Sequence, residues 1–182
     1  MNSIFGKVKS SALELKNVKS MTIAAMLLAL NILLFLFFSI QITNSLRLSF
    51  SYLPIAASGS LYGPVVGGIV AAAGDLLNLV IKPSGAFFPG FTINACLSGC
   101  IYGFVLYKKP ASLKRTILAR LCVALVELIL GTLWLSMMYG KGYMVFFPAR
   151  IMKAAILFPI EVMLLYGMLK VMERVKLPGL VR

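Results

Sequence analysis

Residues 21–41 read MTIAAMLLALNILLFLFFSIQ, a run without one charged side chain. A helix rises about 1.5 Å per residue and the hydrocarbon core of a bilayer is about 30 Å thick, so roughly 20 apolar residues make one crossing. This run makes one. It is too long for the apolar centre of a secretory signal peptide, and no convincing small-residue cleavage site follows it, so it is expected to stay on the chain. Further apolar stretches lie near 50–63, 65–82, 91–107, 113–139 and 146–171, separated by proline, glycine or clustered charge. Charged residues make up 13% of the 182, against about 25% in an ordinary soluble domain. They are too few to cover a water-facing surface. The sequence therefore predicts an all-α integral membrane protein, a bundle of six transmembrane helices with no second, soluble domain. The stretch 50–63 is short and carries Pro54, so it is expected to enter at a tilt or partly unwound.

Basic residues set the orientation. Lys7, Lys9, Lys16 and Lys19 precede the first helix. Lys108, Lys109, Lys114, Arg115 and Arg120 are assigned to the connection between the fourth and fifth helices, and Lys170, Arg174, Lys176 and Arg182 end the chain. Six crossings put all three clusters on one side, with both termini cytoplasmic and these cations in water. The expected organisation is a basic cytoplasmic segment 1–19, a membrane domain 20–175 and a cytoplasmic tail 176–182. Much of the net charge of +13 is thus topological and gives no support for nucleic-acid binding. Five cations break the trend by lying at outer helix ends: Arg47, Lys82, Lys141, Arg150 and Lys153. Lys82 and Lys141 are equally well read as reaching back to lipid headgroups. Arg150 and Lys153, three apart on one helix face, repel each other unless an anion or a water-filled cavity receives them.

Chemistry is narrowed by what the composition lacks. There is no histidine, and Cys96, Cys100 and Cys122 form no zinc cage. Cys96 and Cys100 share a helix face and are read as small packing residues ahead of a redox pair. No metal site and no cofactor are expected, and without a glycine-rich phosphate loop any ATP hydrolysis falls to another subunit. Polar residues recur instead inside the spans: Asp75, Asn78 and Lys82; Asn94 and Ser98; Thr132, Ser136 and Tyr139. Each stripe alone is as well explained by a structural polar network. Their convergence at one depth with the outer cations points to an outward-facing ligand cavity. Aromatic residues crowd the same level, namely Phe87, Phe88 and Phe91, then Trp134, Tyr139, Tyr143, Phe146 and Phe147. An interface belt accounts for part of them. With a carboxylate, an amide and two or three cations, they suit an aromatic heterocycle carrying an anionic tail. Gly85 and Gly90 would let the connection between the third and fourth helices move as a lid. Glu127 and Glu161 also lie within spans and are assigned no role.

Small residues cluster where helices must meet closely: Ala25 and Ala29, Gly59 to Gly63, Gly67 and Gly68, Gly99 to Gly103. Together with LRLSFSYLPI at 46–55, LYGPVVG at 61–67 and Asp75, this pattern resembles the S components of energy-coupling factor (ECF) vitamin transporters, over about residues 20–175. Within them FFPGFT at 87–92, GCIYG at 99–103, TLWLSMMYG at 132–140 and PARIMK at 148–153 are similar to the folate-specific members. The resemblance implies a small six-helix subunit of a bacterial plasma membrane, without catalysis of its own. It would capture folate at the outer face and hand it to a transmembrane coupling subunit and two ATPases. Ala25 and Ala29 would match the family's docking face for the coupling subunit. Asp75 and Asn94 would meet the amino-amide edge of the pterin, with Phe91, Trp134 or Tyr139 covering its faces. Arg150 and Lys153, with Arg47 as a third candidate, would hold the two carboxylates of the glutamate tail.

Three other readings remain at this level. An S component for riboflavin or thiamine would have less use for Arg150 beside Lys153, since neither vitamin has a dicarboxylate tail. A membrane-embedded enzyme acting on a lipid phosphate would need paired acids, a nucleophile with its base, or a metal cluster, and the sequence shows none. A self-sufficient carrier would need a coupling-ion site and usually an internal repeat, and the two halves show no repeat.

Overall fold

The chain begins with a short basic helix and then runs as long apolar ones, because most of its residues can satisfy their backbone polar groups in a bilayer only within a helix. The computed structural model describes residues 4–43, 46–48, 50–82, 88–140 and 142–175. Among these the helices are α1 (Ile4–Glu14), α2 (Val18–Phe38), α3 (Tyr52–Tyr62), α4 (Pro64–Ile81), α5 (Pro89–Leu106), α6 (Leu113–Tyr139) and α7 (Tyr143–Arg174). A short antiparallel pair, β1 (Ile40–Thr43) and β2 (Leu46–Leu48), joins α2 to α3 with Ile40 opposite Leu48 and Gln41 opposite Arg47. The first apolar run therefore ends as helix at Phe38, and its last residues enter this hairpin.

Five segments are long and apolar enough to cross a membrane: α2, α4, α5, α6 and residues Arg150–Arg174 of α7. The stretch expected to be too short is α3, with 11 residues. At about 1.5 Å per residue it reaches only about half-way through a bilayer. It is buried along almost its whole length instead, and Pro54 falls in its first turn, where a missing N–H costs little. At 32 residues α7 exceeds one crossing and carries Pro148 and Pro159 inside it.

Gly63 links α3 to α4 as a single residue with φ +90°, a conformation that side chains disfavour. The two helices fold back on each other there, and their glycines meet those of α5. A Cβ on Gly67 would stand 2.8 Å from the Gly99 carbonyl oxygen and 2.9 Å from the Gly59 Cα, and one on Gly59 would stand 2.9 Å from the Gly103 nitrogen. These contacts are backbone on backbone, the reason for the small residues singled out in the sequence.

Segment 1–19 was open to either disorder or a helix on the membrane surface, and its described part packs against the bundle. Ser11 is fully buried; its Oγ donates to the Tyr62 carbonyl at 2.7 Å and accepts from the Val65 and Val66 amides at 3.0 and 3.3 Å. It caps α4 from another helix, since Gly63 offers no side chain for the purpose. Lys7 Nζ donates to the Phe104 carbonyl near the end of α5 at 2.8 Å. Partial burial, with Lys109 and then Arg115 nearby, lowers the Lys7 pKa. At the same end Met172 of α7 packs with Ala24, Leu61, Tyr62 and Val66. The N-terminal helix, the α5–α6 turn and the end of α7 thus share one end of the bundle. A second core joins Tyr52 and Ala56 to Tyr102, Val123 and Leu165. Leu33, Phe37, Ile69, Val80, Leu125, Ile129 and Met163 face outward and exposed, an apolar collar of the kind lipid covers.

Candidate ligand cavity

Helices α3 to α7 enclose a cavity of about 350 Å³, at the small end of the roughly 300–1,000 Å³ usual for small-molecule sites. Asp75 reaches it from α4, and the Thr92 hydroxyl in the first turns of α5 donates to Asp75 Oδ2 at 2.8 Å. Phe91, Asn94 and Ser98 form the α5 wall. The Ser98 hydroxyl is spent on the Asn94 carbonyl at 2.9 Å, whereas Asn94 Oδ1 is buried without a hydrogen-bond partner. A buried acceptor left open on a cavity wall suits a ligand N–H. Across from them stand Arg150 and Lys153 of α7. Arg150 Nη2 donates to the Glu127 carbonyl of α6 at 3.2 Å.

The floor is ionic. Arg120 Nε and Nη2 lie 2.8 and 2.7 Å from Glu161 Oε2, Nη1 donates to the Tyr102 hydroxyl at 3.2 Å, and Nη2 is 3.5 Å from Glu127 Oε2. The guanidinium also lies 5.0 Å from the centre of the Tyr52 ring. This corrects the assignment of Arg120 to a solvated connection: the residue is 5% exposed. It stands seven residues into α6, about 10 Å from the helix start. Its spacing of seven from Glu127, two helical turns on one face, was the available signal. Glu161, given no role in the sequence, is its partner.

Other expected site residues are placed as follows. Trp134 packs behind the cavity rather than lining it: a Cβ on Gly90 would stand 2.5 Å from its ring, and its centroid is 5.6 Å from that of Phe88. Tyr139 stands 40% exposed at the end of α6, away from the lining. Arg47 belongs to β2, but its side chain lies outside the described residues, as do Gly85, Phe87 and Lys141 altogether and the side chain of Phe146. The polar stripes divide. Asn78 donates to Asn31 Oδ1 at 3.1 Å, Asn31 in turn holds the Ser51 carbonyl at 2.8 Å, and Thr132 Oγ1 bonds back to the Leu128 carbonyl. Those are structural ties, and Lys82 is exposed. The Sγ atoms of Cys100 and Cys96 pack over Gly68, where small side chains fill the space between α4 and α5. Ala25 and Ala29 are exposed on α2 beside buried Ala24.

A family model described as ECF transporter, substrate-specific component matches residues 19–170. The chain belongs to that family. This substrate-specific component is 40% identical over 164 residues to a protein of Clostridium novyi (strain NT) described as Folate transporter FolT, covering 90% of this chain and 95% of the relative. It is 31% identical over 134 residues to a Leuconostoc mesenteroides protein of the same description, covering 70% of this chain and 72% of that one. Among solved structures it is similar to one titled "Crystal structure of FolT bound with folic acid", with TM-score 0.79 and 36% identity over 85% of this chain and 94% of the other.

Proposed function

We propose that this chain is the folate-binding subunit of an ECF-type importer, taking up the vitamin from outside and passing it to a transmembrane coupling subunit driven by two ATPases. The supporting observation is the pairing of Asp75 and the open Asn94 acceptor on one wall with Arg150 and Lys153 on the other. A pterin has an N–H-rich edge for the first pair, and two glutamate carboxylates for the second. The folate-transporter descriptions of relatives at 40% and 31% identity agree with this ligand. Phe91 covers the pterin, Trp134 supports that wall from behind through Gly90, and Arg47 and Tyr139 meet the ligand from the outer rim. The chain itself binds and releases without catalysing a reaction.

In this reading α3 counts as the sixth span, carried by its neighbours rather than by lipid. The shared basic end of the bundle faces the cytoplasm of a bacterial plasma membrane, with both termini there, and the cavity opens outward. Ala25 and Ala29 form the close-approach face for the coupling subunit. The test is titration of the detergent-purified chain with folic acid, riboflavin and thiamine, followed by fluorescence of the single Trp134. Saturable quenching by folic acid alone, weakened at least tenfold in Arg150→Ala as expected for loss of a charge-assisted hydrogen bond, supports the assignment. Binding of another vitamin in its place overturns it.

A further inference from the structure

Gly131 is buried about two-thirds of the way along α6, the one glycine between Leu113 and Tyr139. A glycine there weakens a helix relative to alanine, so the position calls for a reason. The glycines at 59, 67, 99 and 103 have one, since another backbone passes against each. At Gly131 the neighbour is different. The three atoms nearest to a Cβ built there are Arg150 Nη2 at 2.7 Å and Arg150 Cζ and Nη1 at 3.3 Å, all from the same guanidinium. The group rests in the notch left by the missing side chain and donates from Nη2 to the Glu127 carbonyl. In an α-helix that carbonyl already takes the amide of residue 131, and its second lone pair is free for the arginine. The notch and the hydrogen bond therefore act on one nitrogen.

We propose that Gly131 is a positioning residue for ligand binding: its bare backbone seats the Arg150 guanidinium against α6 and so fixes the direction from which the arginine meets a ligand carboxylate. The inference rests on the reading of Arg150 as the anchor of the glutamate tail. Arginine recognises carboxylates through a planar fork, so its value depends on the plane in which it is held. A methyl group at 131 pushes the fork off the helix and into the cavity. The displaced atoms are the far end of a flexible side chain, so the fold gives way there and α6 stays intact.

Gly131→Ala tests this in the full chain in detergent, with folic acid and pteroic acid, which lacks the glutamate, as paired ligands. The variant is expected to unfold at or above the parent's temperature without ligand. It should bind folic acid about tenfold more weakly, the loss of roughly one charge-assisted hydrogen bond, and leave pteroic acid within about twofold. In an Arg150→Ala background the same substitution should change neither ligand. Equal loss for both ligands, loss that persists without Arg150, parental folate binding, or a variant that cannot be purified folded would each overturn the proposal. Gly131→Ser gives a second reading of the same four quantities. If Arg150→Ala alone leaves the preference for folic acid over pteroic acid unchanged, the tail-anchoring reading fails first and takes this inference with it; if Arg150→Ala abolishes that preference and Gly131→Ala does not reduce it, the inference fails alone.

Discussion

Replacing Arg120 with methionine removes a charge from a buried ion cluster while keeping a long side chain in its place. The guanidinium gives Glu161 contacts at 2.7 and 2.8 Å and binds Tyr102 at 3.2 Å, and the Glu161 side chain is only 17% exposed. Its loss leaves a poorly hydrated carboxylate without the guanidinium that now holds it at 2.7 Å. Breaking a buried pair in this way costs about 3–5 kcal/mol. For a chain of this size each kcal/mol moves the unfolding midpoint by about 2–4 °C, so a fall of roughly 10 °C is expected. Glu161→Gln on top of Arg120→Met removes the stranded charge, so the double variant should recover part of the loss, with a coupling of about 2 kcal/mol. The assay is thermal unfolding in one detergent, without ligand, of parent, both single variants and the double. A midpoint within about 2 °C of the parent for Arg120→Met, or losses that simply add in the double variant, would refute the reasoning that Arg120 is held by a dry ion pair.

Ser11→Ala should lower the unfolding midpoint through loss of a buried cap, about 1–2 kcal/mol, while folate affinity stays at the parental level; thermal unfolding and ligand titration read the two separately. Asp75→Asn keeps an oxygen for the Thr92 hydroxyl but loses the charge, so calorimetry should show folic and pteroic acid weakened alike, by about tenfold or more. Gly99→Ala drives a methyl group into the Gly67 carbonyl, and loss of the monodisperse peak in size-exclusion chromatography is expected. Gly140→Ala meets nothing within 4 Å and bears only the strain of φ +62°, so its penalty should stay near about 1 kcal/mol in the same unfolding assay.

The parts of this fold legible in sequence were those fixed by one-dimensional signals. Apolar run length marked the spans, and the short stretch with Pro54 was already marked as too short to cross comfortably. Glycines at spacing four marked the α3–α4–α5 contact, because close approach demands them whatever the partner. Asp75, Phe91, Asn94, Arg150 and Lys153 were found because polar and aromatic groups inside an apolar run need a reason, and all five line the cavity. Asn78 and Thr132 satisfied the same criterion and proved to be internal ties, since a stripe shows which face of a helix is polar and not whether the neighbour is protein or ligand. Trp134 was drawn to the site by its depth, whereas Gly90 and Phe88 hold it one layer behind. The hairpin of β1 and β2 carries no strong turn signal, and α1 docks through Ser11, a residue with nothing in its local sequence to set it apart.

The cavity's cations show why type and depth must be read together. Arg120, Arg150 and Lys153 all line the same space, and counting charges would give each an equal claim on an anionic ligand. Their partners differ. Both Arg120 nitrogens nearest the floor are committed to Glu161 and a third to Tyr102, so recruiting it would strand a buried carboxylate, an outcome worth several kcal/mol against binding. Arg150 gives one nitrogen to a backbone carbonyl, a neutral acceptor whose other lone pair remains occupied by the helix, and so has donors to offer without breaking an ion pair. Lys153 sits one turn below it on the same helix face. The two cations repel each other, and in the proposed reading a dicarboxylate bound between them would relieve that repulsion as it gained its own contacts. In the proposed reading, selection for an anionic tail follows from the floor as much as from the rim: Glu161 holds Arg120 down, and the ligand is met from α7.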